Sequence, residues 1–101
     1  MNIQITTRHD RKVSDDTKSF IEAGIEALDK YDDSITSVHV VLDKEDHKTG
    51  EEDIVEIDFN THGAPVSAKA QDANLFKAFD AAMVKVTAQL KKKSEKLKSH
   101  K

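Results

Sequence analysis

Apolar and polar residues alternate in four segments of the chain, and this period of two predicts four β-strands. The first strand is Asn2–Thr7, in which two isoleucines share one side. The second covers residues 35–42, the third covers residues 54–60, and the fourth begins at Val66. The first three are rich in β-branched side chains, which favour an extended backbone.

Charged and turn-forming residues separate the last three strands. Residues 43–53 predict a charged hairpin loop, rich in Asp and Glu, with its turn at Thr49-Gly50. Residues 61–65 read T-H-G-A-P and predict the turn between the third and fourth strands. We therefore expect these three strands to pair as an antiparallel meander.

Apolar residues recur at helical spacing after the first strand. Ser14 is a predicted N-cap and is followed by two aspartates, which suit the positive end of a helix dipole. The predicted helix covers residues 15–30, and Gly24 lies on its apolar side, where a close neighbour can approach. Its predicted core residues are Phe20, Ile21, Ile25 and Leu28.

A second and longer helix is predicted after the fourth strand. Asn74 caps it, Leu75 begins it, and no Gly or Pro interrupts it through Lys101. At about 100° per residue, its larger apolar side chains fall within about a quarter of the helical wheel. These predicted core residues are Phe76, Phe79, Met83, Val86, Leu90 and Leu97.

The order β-α-β-β-β-α predicts a single α+β domain over residues 1–101. A right-handed crossover makes the first two strands parallel, so the four-stranded sheet is mixed, and both helices pack on one of its faces. The opposite face is polar enough to remain in water. Its predicted residues are Gln4, Thr6, His39, Val41, Glu56, Asp58, Ser67 and Lys69.

The amino-acid composition excludes several kinds of site and of protein. The chain has 101 residues, of which 37% are hydrophobic, and this supports one small core. It has no Cys, which excludes disulfides, thiolate zinc sites and cysteine nucleophiles and fits the cytoplasm. No apolar run approaches the ~18 residues of a membrane span, so we expect no membrane partner.

The net charge of −3 hides a division along the chain. Residues 1–74 contain 8 Lys and Arg against 17 Asp and Glu, which gives −9. Residues 75–101 contain 8 Lys against 2 acids, which gives +6. Because local potential steers association, the basic segment predicts a polyanionic partner, although a solvated lysine-rich tail explains the same composition.

A basic ridge, consisting of Lys85, Gln89, Lys92 and Lys96, follows one side of the second helix. Its members fall within about 60° of one another, nearly opposite the predicted core face. Lysine is a point charge suited to phosphate, so we expect recognition of shape and backbone rather than base sequence. The flanking or additional candidates are Lys91, Lys93, Arg8, Arg11 and Lys12, of which the last three join the ridge only if the first loop lies beside the second helix.

Catalytic and metal-binding patterns are nearly absent from the sequence. The five histidines show no metal-ligand spacing, and the three glycines form no phosphate-binding loop, so no metal or cofactor is predicted. The pairs His9-Asp10 and Asp46-His47 resemble fragments of an acid/base site, but charged loops produce such dipeptides by chance. We therefore expect that the protein is not an enzyme.

Several short segments resemble the ribosome hibernation-promoting factors, also called the sigma-54 modulation protein or ribosome-associated inhibitor family. In the first half these are I-Q-I-T at 3–6, F-I at 20–21, L-D-K-Y at 28–31 and S-V-H-V-V-L at 37–42. In the second half they are A-K-A at 68–70, N-L-F-K-A-F-D at 74–80, K-V at 85–86, Q-L at 89–90 and K-S-E-K-L-K at 93–98. The resemblance covers essentially the whole chain and implies a fold related to double-stranded-RNA-binding domains.

The resemblance implies a non-enzymatic translation inhibitor in the cytoplasm. Such a protein occupies the decoding channel of the small ribosomal subunit, where tRNA and mRNA bind, and promotes hibernation under stress or in stationary phase. The basic ridge would contact 16S rRNA. The chain resembles the short form without a C-terminal dimerisation domain. The resemblance implies that such a form would act with a ribosome modulation factor, and we expect a monomer when the protein is free and no DNA partner.

The chain differs from the resembled family at a few positions. Family members often carry basic residues on the first helix where Gly24 and Ala27 stand, and Asn74 and Phe76 replace the usual Asp and Tyr. Three other interpretations of the residues remain. They are a general reader of structured double-stranded RNA, a protein-interaction module that uses the acidic sheet and residues 43–53, and a hydrolase dependent on His9 or His47.

Overall fold

A computed structural model of the chain describes residues 2–9, 12–30, 35–61 and 65–98, and their side chains except those of residues 29–30 and 93–98. Four strands and two helices follow one another in the predicted order. They are β1 (Asn2–Thr7), α1 (Asp15–Glu26) with a 3₁₀ turn (Ala27–Lys30), β2 (Ile35–His47), β3 (Gly50–Thr61), β4 (Val66–Asp72) and α2 (Leu75–Lys98).

The strands form one mixed sheet in the order β1-β2-β3-β4. β1 pairs in parallel with β2, with Ile5 opposite Val40, whereas the β2–β3 and β3–β4 pairs are antiparallel. This arrangement confirms the predicted α+β class. It also makes β1 and β4 the two edge strands, which matters for the position of α2.

The N-cap of α1 is confirmed, but its predicted end is not. The Oγ of Ser14 accepts a hydrogen bond from the backbone N–H of Thr17 at 3.2 Å, as a capping serine does. The α-helix ends at Glu26, and residues 27–30 form a tighter 3₁₀ turn rather than a continuation of the α-helix. Such turns are common at helix C-termini, where the last carbonyls lack α-helical partners.

The predicted charged loop at residues 43–53 is instead a long two-stranded arm. β2 and β3 stay paired as far as His47 and Gly50, and only Lys48 and Thr49 lie between the strands. Gly50 has φ +136°, a conformation that residues with a side chain rarely adopt. The loop prediction was wrong because backbone pairing can continue through charged residues when both faces of the arm meet water.

The core lies between one face of the sheet and the two helices. From α2 it receives mostly small or medium side chains rather than all the predicted large ones. Its buried α2 residues are Leu75, Ala78, Phe79, Ala82, Val86 and Leu90. Met83 is half-buried. The predictions that Phe20 and Phe76 belong to the core were wrong, since they are 46% and 45% exposed and their rings pack edge-to-face on each other at 5.1 Å. The side chain of Leu97 lies outside the described set. The buried stripe is rotated from the predicted one because Ala78 and Ala82 let the helix approach the sheet closely.

Gly24 of α1 lies against the ring of Phe79 on α2. A Cβ at this position would lie 3.0 Å from Cε2 of Phe79, closer than real Cβ atoms normally come to a ring carbon. The predicted close neighbour of Gly24 is therefore the Phe79 ring. Any side chain at this position in this protein would require the Phe79 ring to shift.

The open face of the sheet is polar, as predicted, except at its centre. Val41 is 2% exposed and lies between Thr6 and Glu56 in the sheet register. Ile54, its diagonal neighbour, is also buried. The expectation that Val41 meets water was wrong because the longer side chains on neighbouring strands cover it, including Glu56, which forms a 3.6 Å ion pair with Lys69.

Candidate nucleic-acid interface

α2 is attached along the free edge of β4 by two side chains of the basic ridge. Nζ of Lys85 donates to the carbonyl oxygen of Lys69 at 2.8 Å, and Nε2 of Gln89 donates to that of Ser67 at 2.9 Å. Four residues of helix rise about 6.0 Å, and two residues of strand rise about 6.6 Å, so the two spacings nearly match. The helix therefore runs antiparallel to β4, and its side chains satisfy edge carbonyls that no fifth strand pairs.

These two contacts correct the predicted orientation of the ridge. Lys85 and Gln89 do not lie nearly opposite the core face but at its flank, against β4. The helical wheel misplaced them because the true buried stripe is centred on Ala82 and Val86 rather than on Phe76 and Met83. Both side chains are nevertheless exposed, so each keeps hydrogen-bonding groups accessible from outside.

The rest of the ridge lies on the C-terminal part of α2. Lys91 and Lys92 are exposed, whereas Lys93 and Lys96 lie on the helix with side chains outside the described set. The nine residues after Gln89 carry the helix about 13 Å further along its axis. Residues 91–98 contain five lysines and one glutamate. This terminal segment therefore concentrates positive charge on one element.

The structure does not place Arg8 of the first loop beside the ridge. The backbone N–H of Arg8 donates to the carbonyl of Leu42 at 2.9 Å, which places Arg8 beside β2 at the end of edge strand β1. The ridge lies at the opposite edge, on β4. Lys12 is exposed in the segment before α1, and Arg11 falls outside the described residues.

Negative charge gathers at the other end of the molecule and on α1. The β2–β3 arm contains six carboxylates and two lysines in residues 43–53, and it extends past the start of α2. α1 carries four carboxylates against Lys18 alone. The sign division found along the chain is thus also a division in space, with the arm and the end of α2 at opposite ends of the strand direction.

His9 pairs with a carboxylate that is distant in sequence. Its Nδ1 lies 2.6 Å from Oδ1 of Asp43, and its backbone has φ 53°, which is uncommon for a residue with a side chain. The hydrogen bond from His9 holds the pKa of Asp43 below its usual value, with smaller contributions from the Lys44 backbone N–H and the charge of Arg8. This pair joins the end of β1 to β2 at the exposed surface.

Sequence reasoning missed a shallow groove on the outer side of α2. It has a volume of about 480 Å³, and Val84 in its wall is 69% exposed. Its lining residues are Asp80, Met83, Val84, Thr87, Ala88 and Lys91. The apolar residues in this stripe resemble core positions in the sequence, so no signal distinguished them.

Within the described part of the chain, no cluster of three or more His, Cys, Asp or Glu side chains is arranged to hold a metal ion. On the arm, His47 lies 3.0 Å from Glu52 and 3.7 Å from Glu45.

None of the described helices has the length and apolar character needed to cross a membrane.

A mixed four-stranded sheet with two helices on one face, the second ending in a lysine-rich segment, defines a class of small α+β domain. The chain belongs to the sigma 54 modulation protein / S30EA ribosomal protein family, whose model matches residues 3–98. Members of this family are ribosome-associated hibernation factors and not enzymes.

Named relatives support the same assignment. The chain is 28% identical over 94 residues to a "Ribosome hibernation promoting factor" of Klebsiella oxytoca, covering 93% of this chain and 95% of the relative. The Protein Y N-terminal domain of Thermus thermophilus has a TM-score of 0.78 at 27% identity and covers 91% of this chain and 98% of that domain. A ribosomal subunit interface protein of Coxiella burnetii shares the fold, with a TM-score of 0.81 at 23% identity over 94% of this chain and 99% of that one.

Proposed function

We propose that this domain binds the small ribosomal subunit with the C-terminal part of α2 on 16S rRNA, occupies the decoding channel, and holds the ribosome inactive in the cytoplasm under stress or in stationary phase. The observation that carries the proposal is the concentration of five lysines against one glutamate in residues 91–98, continuous with Lys85 and Gln89. The names of the relatives supply the ribosome as the target.

The kind of contact follows from the side chains. Lysine places a compact positive charge on a phosphate and does not read base edges in a fixed geometry. α1 and the β2–β3 arm are acidic and would be repelled by rRNA, so α2 supplies the attraction. Binding should therefore depend on salt and on RNA shape more than on sequence.

Co-sedimentation with small subunits at several salt concentrations tests the proposal. The test variant is Lys92→Gln with Lys96→Gln, and the matched control is Lys18→Gln with Lys48→Gln, which removes the same charge from α1 and the arm. We expect the test variant to bind more weakly, with a salt slope flatter by about one unit for each phosphate that is no longer neutralised. The control should bind about as well as the unmodified protein, because Lys18 on α1 and Lys48 on the arm lie away from the ridge. Equal slopes for all three proteins would exclude the ridge from rRNA binding.

Occupation of the channel needs its own measurement. If the domain fills the decoding channel, it should compete with tRNA for the small subunit, and it should protect decoding-region nucleotides of 16S rRNA from hydroxyl radicals. Binding without competition or protection would place the domain elsewhere on the ribosome. A ribosome interaction that survives removal of the ridge charges but fails when residues 43–53 are replaced would favour a protein contact through the acidic arm.

A further inference from the structure

The side-chain amide of Gln89 has a fixed orientation. Its Nε2 lies 2.9 Å from the carbonyl oxygen of Ser67, and a carbonyl oxygen only accepts hydrogen bonds. The amide nitrogen therefore faces β4, and Oε1 faces away from the strand. Because Gln89 is exposed, the basic ridge displays a hydrogen-bond acceptor among its lysines.

An acceptor is unexpected on a surface that binds phosphate alone. Phosphate oxygens are acceptors as well, so Oε1 cannot bond to them. The sugar-phosphate backbones of RNA and DNA offer the same phosphates, but only RNA adds a donor to every nucleotide, the ribose 2′-hydroxyl. The acceptor on Gln89 therefore matches a group that distinguishes RNA from DNA.

Lys85 lies one helical turn before Gln89 and is anchored in the same way. One of its three N–H groups donates to Lys69, and the other two remain for a phosphate. Since β4 holds both side chains, binding restricts them less than it would restrict free side chains. The two residues form a preorganised donor and acceptor about 6 Å apart along α2.

We propose that Oε1 of Gln89 accepts a hydrogen bond from a ribose 2′-hydroxyl while Lys85 holds a nearby phosphate, so that Gln89 makes the interface selective for RNA. This inference rests on the proposed function of α2 as the RNA-binding element and adds a residue that determines specificity. The anchoring carbonyl of Ser67 is what gives a neutral amide this role.

The role of the acceptor is tested by an experiment in which RNA hairpins compete with small subunits for binding to the protein. The probes are an RNA hairpin and the same hairpin with 2′-fluoro sugars, which keep the RNA-like sugar conformation but have no 2′ hydrogen to donate. The unmodified protein should prefer the RNA hairpin about two- to tenfold for each hydrogen bond made. Gln89→Met, which removes donor and acceptor, should bind both hairpins equally.

Gln89→Lys separates the acceptor from the hydrogen bond that anchors it. A lysine can still donate to the Ser67 carbonyl, so α2 stays attached to β4, but no acceptor remains. We expect this variant to bind both hairpins at least as tightly as the unmodified protein and without preference. Lys92→Met, the control, should weaken binding to both hairpins and keep the preference.

The outcomes separate this inference from the function on which it rests. A preference that persists in Gln89→Met and Gln89→Lys, or that is absent from the unmodified protein, overturns the role of Gln89 and leaves rRNA binding by α2 intact. Failure of the unmodified protein to bind small subunits at low salt overturns both.

Discussion

The ammonium group of Lys85 donates to the backbone carbonyl of Lys69, so that one lysine of α2 completes the hydrogen bonding of another lysine on the edge strand. Together with Gln89 and Ser67, this pair makes α2 a cover for the edge of β4. Unpaired strand edges invite pairing with other chains, and side chains that occupy their carbonyls oppose it. A residue expected only at the RNA interface thus also has a role in the fold.

Replacement of Lys85 by Met should therefore cost stability. Met preserves the length and helix propensity of the side chain, so the cost comes mainly from the missing hydrogen bond to Lys69, about 1 kcal/mol. Urea denaturation of Lys85→Met measures it, with Lys92→Met as a control whose unfolding free energy should change by less than about 0.5 kcal/mol. Equal stability of the two variants would show that the hydrogen bond to the edge contributes nothing.

Gly24→Ala should destabilise the domain although alanine favours helices. The new Cβ would lie 3.0 Å from the Phe79 ring, which is buried and in contact with Phe20. Overpacking costs typically 1–3 kcal/mol, which outweighs the gain of up to about 1 kcal/mol in helix propensity. We expect a net loss of about 1 kcal/mol by thermal or urea unfolding.

A second background shows whether Phe79 is the cause. In a Phe79→Leu protein, Gly24→Ala should become neutral or stabilising, because the ring edge is gone. The opposite substitution at the exposed neighbour, Ala23→Gly, should lose about 1 kcal/mol from helix propensity alone. If Gly24→Ala destabilises both backgrounds equally, the close approach to Phe79 is not the reason.

Val41 and Val84 form a matched pair for testing the open sheet face. Val41→Ala removes apolar atoms from a side chain that is 2% exposed and should cost about 1–2 kcal/mol. Val84→Ala makes the same chemical change at a 69% exposed helix position and should be neutral or slightly stabilising. Unfolding free energies compare them directly, and a small effect at Val41 would mean that the burial of this side chain on the open face contributes little to stability.

Acid should weaken the link between His9 and Asp43. Because the folded pKa of Asp43 lies below its ordinary value of 3.8, the ionised carboxylate stabilises the fold above that pH. This stabilisation is lost as the pH falls through the lowered pKa. Urea unfolding from about pH 5 to pH 2 should show a shallower loss of stability for His9→Asn, whose side chain tolerates positive φ.

Asp43→Asn provides the complementary variant. It removes the titrating group itself, so it should also flatten the acid dependence, and combining it with His9→Asn should add little. Additive effects of the two substitutions would show that the residues act separately.

Strands and helix caps were predictable from the sequence because each has a local cause. Alternating isoleucines and valines mark β1 and the first part of β2, and Ser14 and Asn74 cap the helices as expected, with Oδ1 of Asn74 accepting from the backbone N–H of Phe76 at 2.9 Å. The β2–β3 arm has no such signal because neither of its faces is buried in the core.

The candidate interface was predictable in composition but not in orientation. The spacing of the lysines identifies the ridge. Which side of α2 faces the sheet, however, depends on the strand that lies beside the helix. Ala78 and Ala82 determine that packing, and their small side chains contribute little to a hydrophobic pattern. The anchoring of Gln89 is also invisible in sequence, since its partner is a backbone carbonyl of Ser67.

Because the acidic arm is separated from the lysine-rich end of α2, the net charge of the protein does not determine how a polyanion interacts with that end. The molecule is 52 Å long, whereas electrostatic fields at physiological ionic strength decay over about 8 Å. A polyanion near the end of α2 is therefore screened from the arm and responds to the local positive potential, although the protein as a whole carries −3. Because repulsion from the arm acts only on approaches from the other end, the charge pattern selects the direction of encounter.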